Sequence, residues 1–229
     1  MVTINPDRPT VAESSMVVPK GTLLSENGLQ LTDTAGAYVL DLPESSLRYG
    51  LLEKTELRLT VPDYFYSLPG NASPSGFGDM AIGVKQQLGP VRGIDVSLVA
   101  YLTLPTGAEA ISSHGYDPAL QLPWSRSLSA LWTVGGQFAT YWPTVSGTHN
   151  FTGEATVYLD RQLRAPWDVF LEYVGDFPER GGSSELLHVG TTYKLTPLEQ
   201  LDCHAAVGLT QAAPTWYIGF GYSYLFAGH

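Results

Sequence analysis

Lysine is scarce in this chain: Lys20, Lys54, Lys85 and Lys194 are all it has. Charged residues reach only 15%, against the ~25% of an ordinary soluble domain. Positive charge is the scarcer sign, with 12 Lys and Arg against 22 Asp and Glu and a formal charge of −10. That argues against nucleic acid as a partner, because phosphate binding needs a concentrated basic surface. Cys203 is the single cysteine, which excludes an intramolecular disulfide framework and a Cys-rich zinc site. A long apolar run is also missing. The longest stretch without Asp, Glu, Lys or Arg, Ser127 to Gly153, is full of Gly, Thr, Ser and Pro. It falls short of the ~20 apolar residues of a spanning helix. The opening, MVTINPDRPTVAESS, has no basic region followed by an apolar one. An export signal is therefore expected to have been removed already. No stretch shows a clean 3.6-residue period, so almost no helix is expected.

Period two is what the chain has instead. Trp216, Ile218, Phe220, Tyr222, Tyr224 and Phe226 alternate with Tyr217, Gly219, Gly221, Ser223 and Leu225. Ile94, Val96, Leu98, Ala100 and Leu102 alternate with Asp95, Ser97, Val99, Tyr101 and Thr103. One apolar face opposite one small or polar face reads as a strand. Such segments recur near 21–33, 36–50, 54–66, 76–89, 93–105, 118–127, 130–143, 151–164, 167–177, 184–195, 200–210 and 215–226. Pro43 marks a bulge or break in the second. Short joints such as 50–54, 89–93, 164–167 and 196–199 alternate with longer polar ones such as 67–76, 105–118, 145–150 and 177–184. Short, long, short, long is the rhythm of an up-and-down antiparallel transmembrane β-barrel. The expected fold is all-β with about twelve strands over 21–229; ten or fourteen are compatible. Residues 1–20 read as an N-terminal extension that either hangs in the periplasm or enters the lumen as a plug.

A soluble lipid-binding barrel has the same alternation. Low charge, few lysines and aromatics near segment ends favour the membrane. Trp124, Trp132, Trp142, Trp167, Trp216, Tyr224 and Phe226 fit the aromatic girdles of such barrels.

Several blocks, taken together, resemble one family. They include Leu47-Arg-Tyr-Gly50, Gly76-Phe-Gly-Asp79, Leu104-Pro-Thr-Gly107, Tyr116-Asp-Pro118, Leu122-Pro-Trp-Ser125, Leu159-Asp-Arg-Gln-Leu163, Gly175-Asp-Phe-Pro178 and Gly219-Phe-Gly-Tyr-Ser223. In order and spacing they are similar to the family of proposed outer-membrane transporters named for the meta pathway of phenol degradation. The resemblance runs from about Pro6 to Phe226. It implies a barrel in a bacterial outer membrane that moves small molecules, and it brings no catalytic residues with it.

With the barrel's alternation, the lumen is expected to be lined by Glu56, Arg58, Asp79, Lys85, Asp95, Tyr101, Tyr141, Glu154, Tyr158, Asp160, Asp168, Phe170, Glu172, Asp202 and His204. Asp176, Arg164, Lys194 and His188 fall on the same face. The acidic excess suits a cation-favouring pore. A closed lumen packed with ion pairs is the competing reading. Glu154, Asp160 and Asp168 are expected to meet across neighbouring segments. Tyr101, Tyr141, Tyr158 and Phe170 offer rings on which aromatic or partly apolar solutes could stack. An outer-membrane esterase would need Ser125 beside His188 or His204, and no Gly-x-Ser-x-Gly occurs. His114, His149, His188, His204 and His229 form no tight metal pattern. The expected partners are membrane lipids, detergent and a small solute. A monomer without a cofactor or metal is expected, and no enzyme.

Overall fold

The computed structural model describes residues 3–70 and 73–226. Asn71, Ala72 and the Ala-Gly-His tail with His229 fall outside the described residues. Seventeen strand segments and no helix occur among those described: β1 (Leu23–Thr34), β2 (Ala37–Leu42), β3 (Ser46–Leu52), β4 (Thr55–Thr60), β5 (Tyr64–Ser67), β6 (Gly76–Phe77), β7 (Met80–Gln87), β8 (Asp95–Leu104), β9 (Asp117–Ser127), β10 (Trp132–Tyr141), β11 (Thr144–Val145), β12 (Thr148–His149), β13 (Thr152–Arg164), β14 (Trp167–Pro178), β15 (Ser184–Thr196), β16 (Glu199–Gly208) and β17 (Trp216–Phe226).

These segments make twelve staves. β2 and β3 are one stave in two pieces: β2 pairs with the far half of β1 and β3 with its near half. The break lies at Pro43, which has no N–H to give to a ladder. β4 with β5, and β6 with β7, are likewise single staves with a break. β11 and β12 form a small hairpin in the connection between β10 and β13. Every stave runs antiparallel to its neighbours, and β1 closes the circle on β17 from Leu23↔Phe226 to Asp33↔Trp216. Closure leaves no free sheet edge.

Leu23 and Phe226 meet at what we call the terminal rim. The turns there are short: 53–54, 128–131, 165–166 and 197–198, with 88–94 the longest. At the loop rim the connections 68–75, 105–116 and 142–151 are longer, 209–215 equals 88–94 in length, and 179–183 and 35–36 are short.

Burial is inverted relative to a soluble protein. Arg48, Glu56, Lys85, Glu172 and His188 are fully buried, whereas Leu57, Ile82, Leu120, Phe138, Val157, Leu171, Val189 and Phe220 are exposed. Charged groups inside and aliphatic groups outside cannot be a stable arrangement in water. It is the arrangement of a barrel whose belt faces lipid, and it removes the soluble lipid-binding barrel from consideration.

Candidate functional site

The interior is occupied by the chain's own N-terminal segment. Residues 3–20 carry Pro6, Pro9 and Pro19 and form no strand. Their backbone N–H groups have no neighbouring strand to pair with, and a buried N–H must find an acceptor. Side chains of the wall provide it. Glu26 accepts from Asp7 and Arg8 at 2.9 Å each. Glu172 accepts from Val11 at 2.8 Å and from Ala12 at 2.9 Å. Gln137 accepts from Glu13 at 3.2 Å, and Glu56 from Val18 at 2.7 Å. Ser15 meets Ser97 and Ser125. Ser97 donates to the Ser15 carbonyl, and these partners together come from β1, β14, β10, β4, β8 and β9, so the segment touches the wall on all sides.

Both ends of the segment lie at the terminal rim. Ile4 donates to the Pro197 carbonyl at 2.7 Å in the β15–β16 turn. Ile4 and Val18 share one apolar cluster with Leu24 and Leu225. The segment is therefore a loop that enters, turns near Val11–Glu13 at mid-barrel, and returns to the same mouth.

Its charges are matched to one wall. Asp7 sits against Arg48 at 2.9 Å, against Arg58, and against Lys85 at 3.5 Å. Burial alone would raise the Asp7 carboxyl, but Arg48, Arg58 and Lys85 outweigh it and hold the group below the usual carboxylate range. Glu13 pairs with Arg58 at 3.1 Å and Lys85 at 3.3 Å, and accepts from the Tyr101 hydroxyl at 2.8 Å. Glu56 ties Arg48 and Arg58 together from below. Arg8 reaches the other way, to Glu44 at 2.7 Å and Asp202 at 3.4 Å. Its guanidinium lies where a Cβ on Gly28 would be, so any other residue there would displace it from this position.

Two further groups fill the interior. Glu172 also meets His188 Nδ1 at 2.8 Å, and His188 Nε2 meets His204 Nδ1 at 3.0 Å. Phe170 and Tyr217 pack edge-on against His188. On another wall Gln137 and the Tyr141 hydroxyl donate to Glu154 at 2.9 and 3.0 Å, and Gln121 donates to Tyr141. Between the segment and β9–β16 a cavity of about 320 Å³ remains, lined by Tyr158, Asp160, Asp168, Phe170, Lys194 and Ser125 among others.

The placement of the sequence-derived residues is mixed. Glu56, Arg58, Lys85, Tyr101, Tyr141, Glu154, Glu172, Asp202 and His204 point inward with the partners just given, and Asp95 lies on the same face of β8 as Ser97 and Tyr101. Asp79 does not line the wall. It sits between β6 and β7 and accepts from Gly107 at 2.8 Å and Ser113 at 2.9 Å, which holds the 105–116 loop. Arg164 faces outward and stacks on Trp167, because the register shifts between Gln162 and Arg164 and inverts the alternation. Glu154 stands opposite Asp176 while Asp160 stands opposite Phe170, so the three carboxylates do not meet. Only Asp160 and Asp168 share the cavity. Ser125 Oγ meets Ser15 Oγ at 2.7 Å, and both nitrogens of His188 are taken by Glu172 and His204. Asp117 faces His149 at 3.7 Å. The aromatic residues fall on the outer face at the two rims. Trp124, Trp132, Trp167, Tyr224 and Phe226 lie toward the terminal rim; Trp142 and Trp216 lie at the loop rim, packed with Phe151 and Tyr38.

Sequence reasoning missed Glu26, Arg48 and Gln137 as interior residues. Arg48 had a signal: it interrupts the apolar Leu47, Tyr49 and Leu51 at the other parity.

Comparison with solved structures gives the same architecture. An outer membrane channel from Pseudomonas putida F1 aligns with a TM-score of 0.71 at 15% identity, covering 95% of this chain and 100% of that one. The NanC porin aligns at 0.63 and 11% identity, over 88% and 98% of the two chains. The CymD monoaromatic hydrocarbon channel aligns at 0.50 and 11% identity, over 93% and 90%. At such identities the likeness is one of fold. No curated protein matches the chain. A family model does, from residue 6 to 226, which takes in the N-terminal loop together with every stave of the barrel. The chain therefore belongs to the family described as "Putative MetA-pathway of phenol degradation".

Proposed function

We propose that this protein is a monomeric channel of a bacterial outer membrane, closed by its own N-terminal loop, through which small solutes pass passively once the loop moves. One observation carries the reading: residues 7–18 hydrogen-bond to ten of the twelve staves around the interior, which sets the seated loop across the lumen. Terminal-rim turns are short, which puts that rim and the loop's two ends on the periplasmic side. Retraction then needs no threading, because the loop enters and leaves by one mouth.

The lining supports the solute class. Tyr158 and Phe170 present rings beside the carboxylates of Asp160 and Asp168, which suits small, partly apolar solutes that also carry a polar or cationic group. The Tyr101 ring is covered by the Arg58 guanidinium at 5.4 Å, and the Tyr101 and Tyr141 hydroxyls are committed to Glu13 and Glu154. The channels of similar fold, one of them described as passing monoaromatic hydrocarbons, support the same class of activity.

Single-channel recording in planar bilayers tests the proposal. Full-length protein should be closed or open only in brief steps. Protein lacking residues 1–19 should give steady steps with a cation-selective reversal potential. Silence from both, with insertion verified, would make the barrel structural instead. The esterase reading finds no support in the geometry, since Ser125 faces inward onto Ser15, away from lipid. An ester hydrolysis lost on Ser125→Ala would restore it.

A further inference from the structure

The formal charge is −10, yet one arc of the outer surface carries arginines and no carboxylate. On the terminal rim the outward positions of β9, β10, β13 and β14 bring together Trp124, Arg126, Trp132, Arg161, Arg164 and Trp167. Trp132 is the cross-strand partner of Arg161, and Trp167 that of Arg164. Arg161 lies 5.0 Å from the Trp132 ring and Arg164 5.5 Å from the Trp167 ring. A cation held on an indole face is oriented while its remaining N–H donors stay free. All three arginines are exposed, and among the described residues none forms an ion pair, although the interior cations have several each. Beside Arg164 the outer wall hollows into an apolar groove of about 510 Å³ between Trp167, Tyr193, Leu201 and Phe220, floored by Cys203. Small residues at the floor and large rings at the sides give a trough running from the arginine toward the middle of the belt.

We propose that this arc binds a phospholipid with an anionic headgroup, its phosphate on Arg161 and Arg164 and one acyl chain in the Trp167–Phe220 groove. The inference rests on the membrane reading above and adds a specific lipid site to it. Charge complementarity decides the headgroup. A zwitterionic lipid brings its own ammonium, whereas unpaired arginines favour a net negative charge by about fivefold each near a membrane surface. Position decides the source, because the terminal rim faces the phospholipid leaflet.

The test uses full-length protein in vesicles of brominated phosphatidylcholine, which quenches tryptophan. Unbrominated dioleoyl-phosphatidylglycerol is added as competitor. Recovery of fluorescence should show a preference for phosphatidylglycerol on the order of twentyfold for the two arginines, falling to parity as salt screens the charges. Arg161→Gln with Arg164→Gln should abolish the preference, and Arg180→Gln on the opposite rim should leave it unchanged. Equal affinity in the wild type, a preference indifferent to salt, or one that survives the double variant would overturn the proposal. So would tighter competition by lipid A, which would place the arc in the other leaflet. If the double variant does not insert, the salt titration of the wild type decides alone. Protein that fails to float with the vesicles would overturn the membrane reading itself, separately from the lipid site.

Discussion

Asp7 faces three wall cations at once, and its removal isolates what holds the loop. Asp7→Asn leaves Arg48, Arg58 and Lys85 with Glu13, Glu26 and Glu56 as remaining counter-charges. Breaking a buried pair costs ~3–5 kcal/mol, and the surviving acids put this case at the low end. The loop should be released and cut by protease many times faster than in the wild type, while the barrel stays folded. The pH dependence follows from the sign of the shift. The seated Asp7 lies below its ordinary 3.8, so its contribution is complete above that value and is lost as pH falls through the lower, seated one. The difference in cleavage rate between wild type and Asp7→Asn should therefore stay constant from pH 7 to about 4 and shrink only below that. A difference that vanished already at pH 6 would contradict the pairing.

At the level of elements, Gly50 and Asp79 make opposite predictions. The return of the loop passes so close to β3 that a Cβ on Gly50 would strike the carbonyls of Val18 and Pro19. Gly50→Val should expel the loop, and steady conductance should appear without any truncation. Asp79→Ala should leave the interior loop seated and free the 105–116 connection, since charged hydrogen bonds of this kind are worth ~1.5–3 kcal/mol each. Limited proteolysis should then cut between residues 105 and 116 and not between 4 and 18. The staves themselves were legible in the sequence because one face of each meets lipid and the other meets charge, which makes period two strong. What could not be read were its interruptions. The shift after Gln162 turns Arg164 outward, and a bulge leaves no mark in composition. Asp79 fell in such an interruption too. The path of residues 3–20 was equally hidden, because its contacts are backbone N–H groups to distant side chains, and those follow no period.

For the whole molecule, the balance of charge is explained by where each sign is used. Three of the cations inside, Arg48, Arg58 and Lys85, stand on three neighbouring staves and hold the loop's acids. Arg126, Arg161 and Arg164 stand outside on one arc of one rim. Acids of the wall, Glu26, Glu56 and Glu172, serve as acceptors for the loop's backbone, a role that needs no cation and that a tally of acids against bases overlooks. The loop's seat has one more consequence. It is assembled from β1, β3, β4, β7, β8, β9, β10 and β14, and Arg8 reaches Asp202 on β16 and the Phe220 carbonyl on β17. That seat does not exist until the last stave has joined the first. Protection of residues 4–18 is thus a clock for the completion of the ring. In a refolding reaction sampled by brief protease pulses, the loop should become resistant only after β17 has paired with β1, making the first part of the chain the last to find its place.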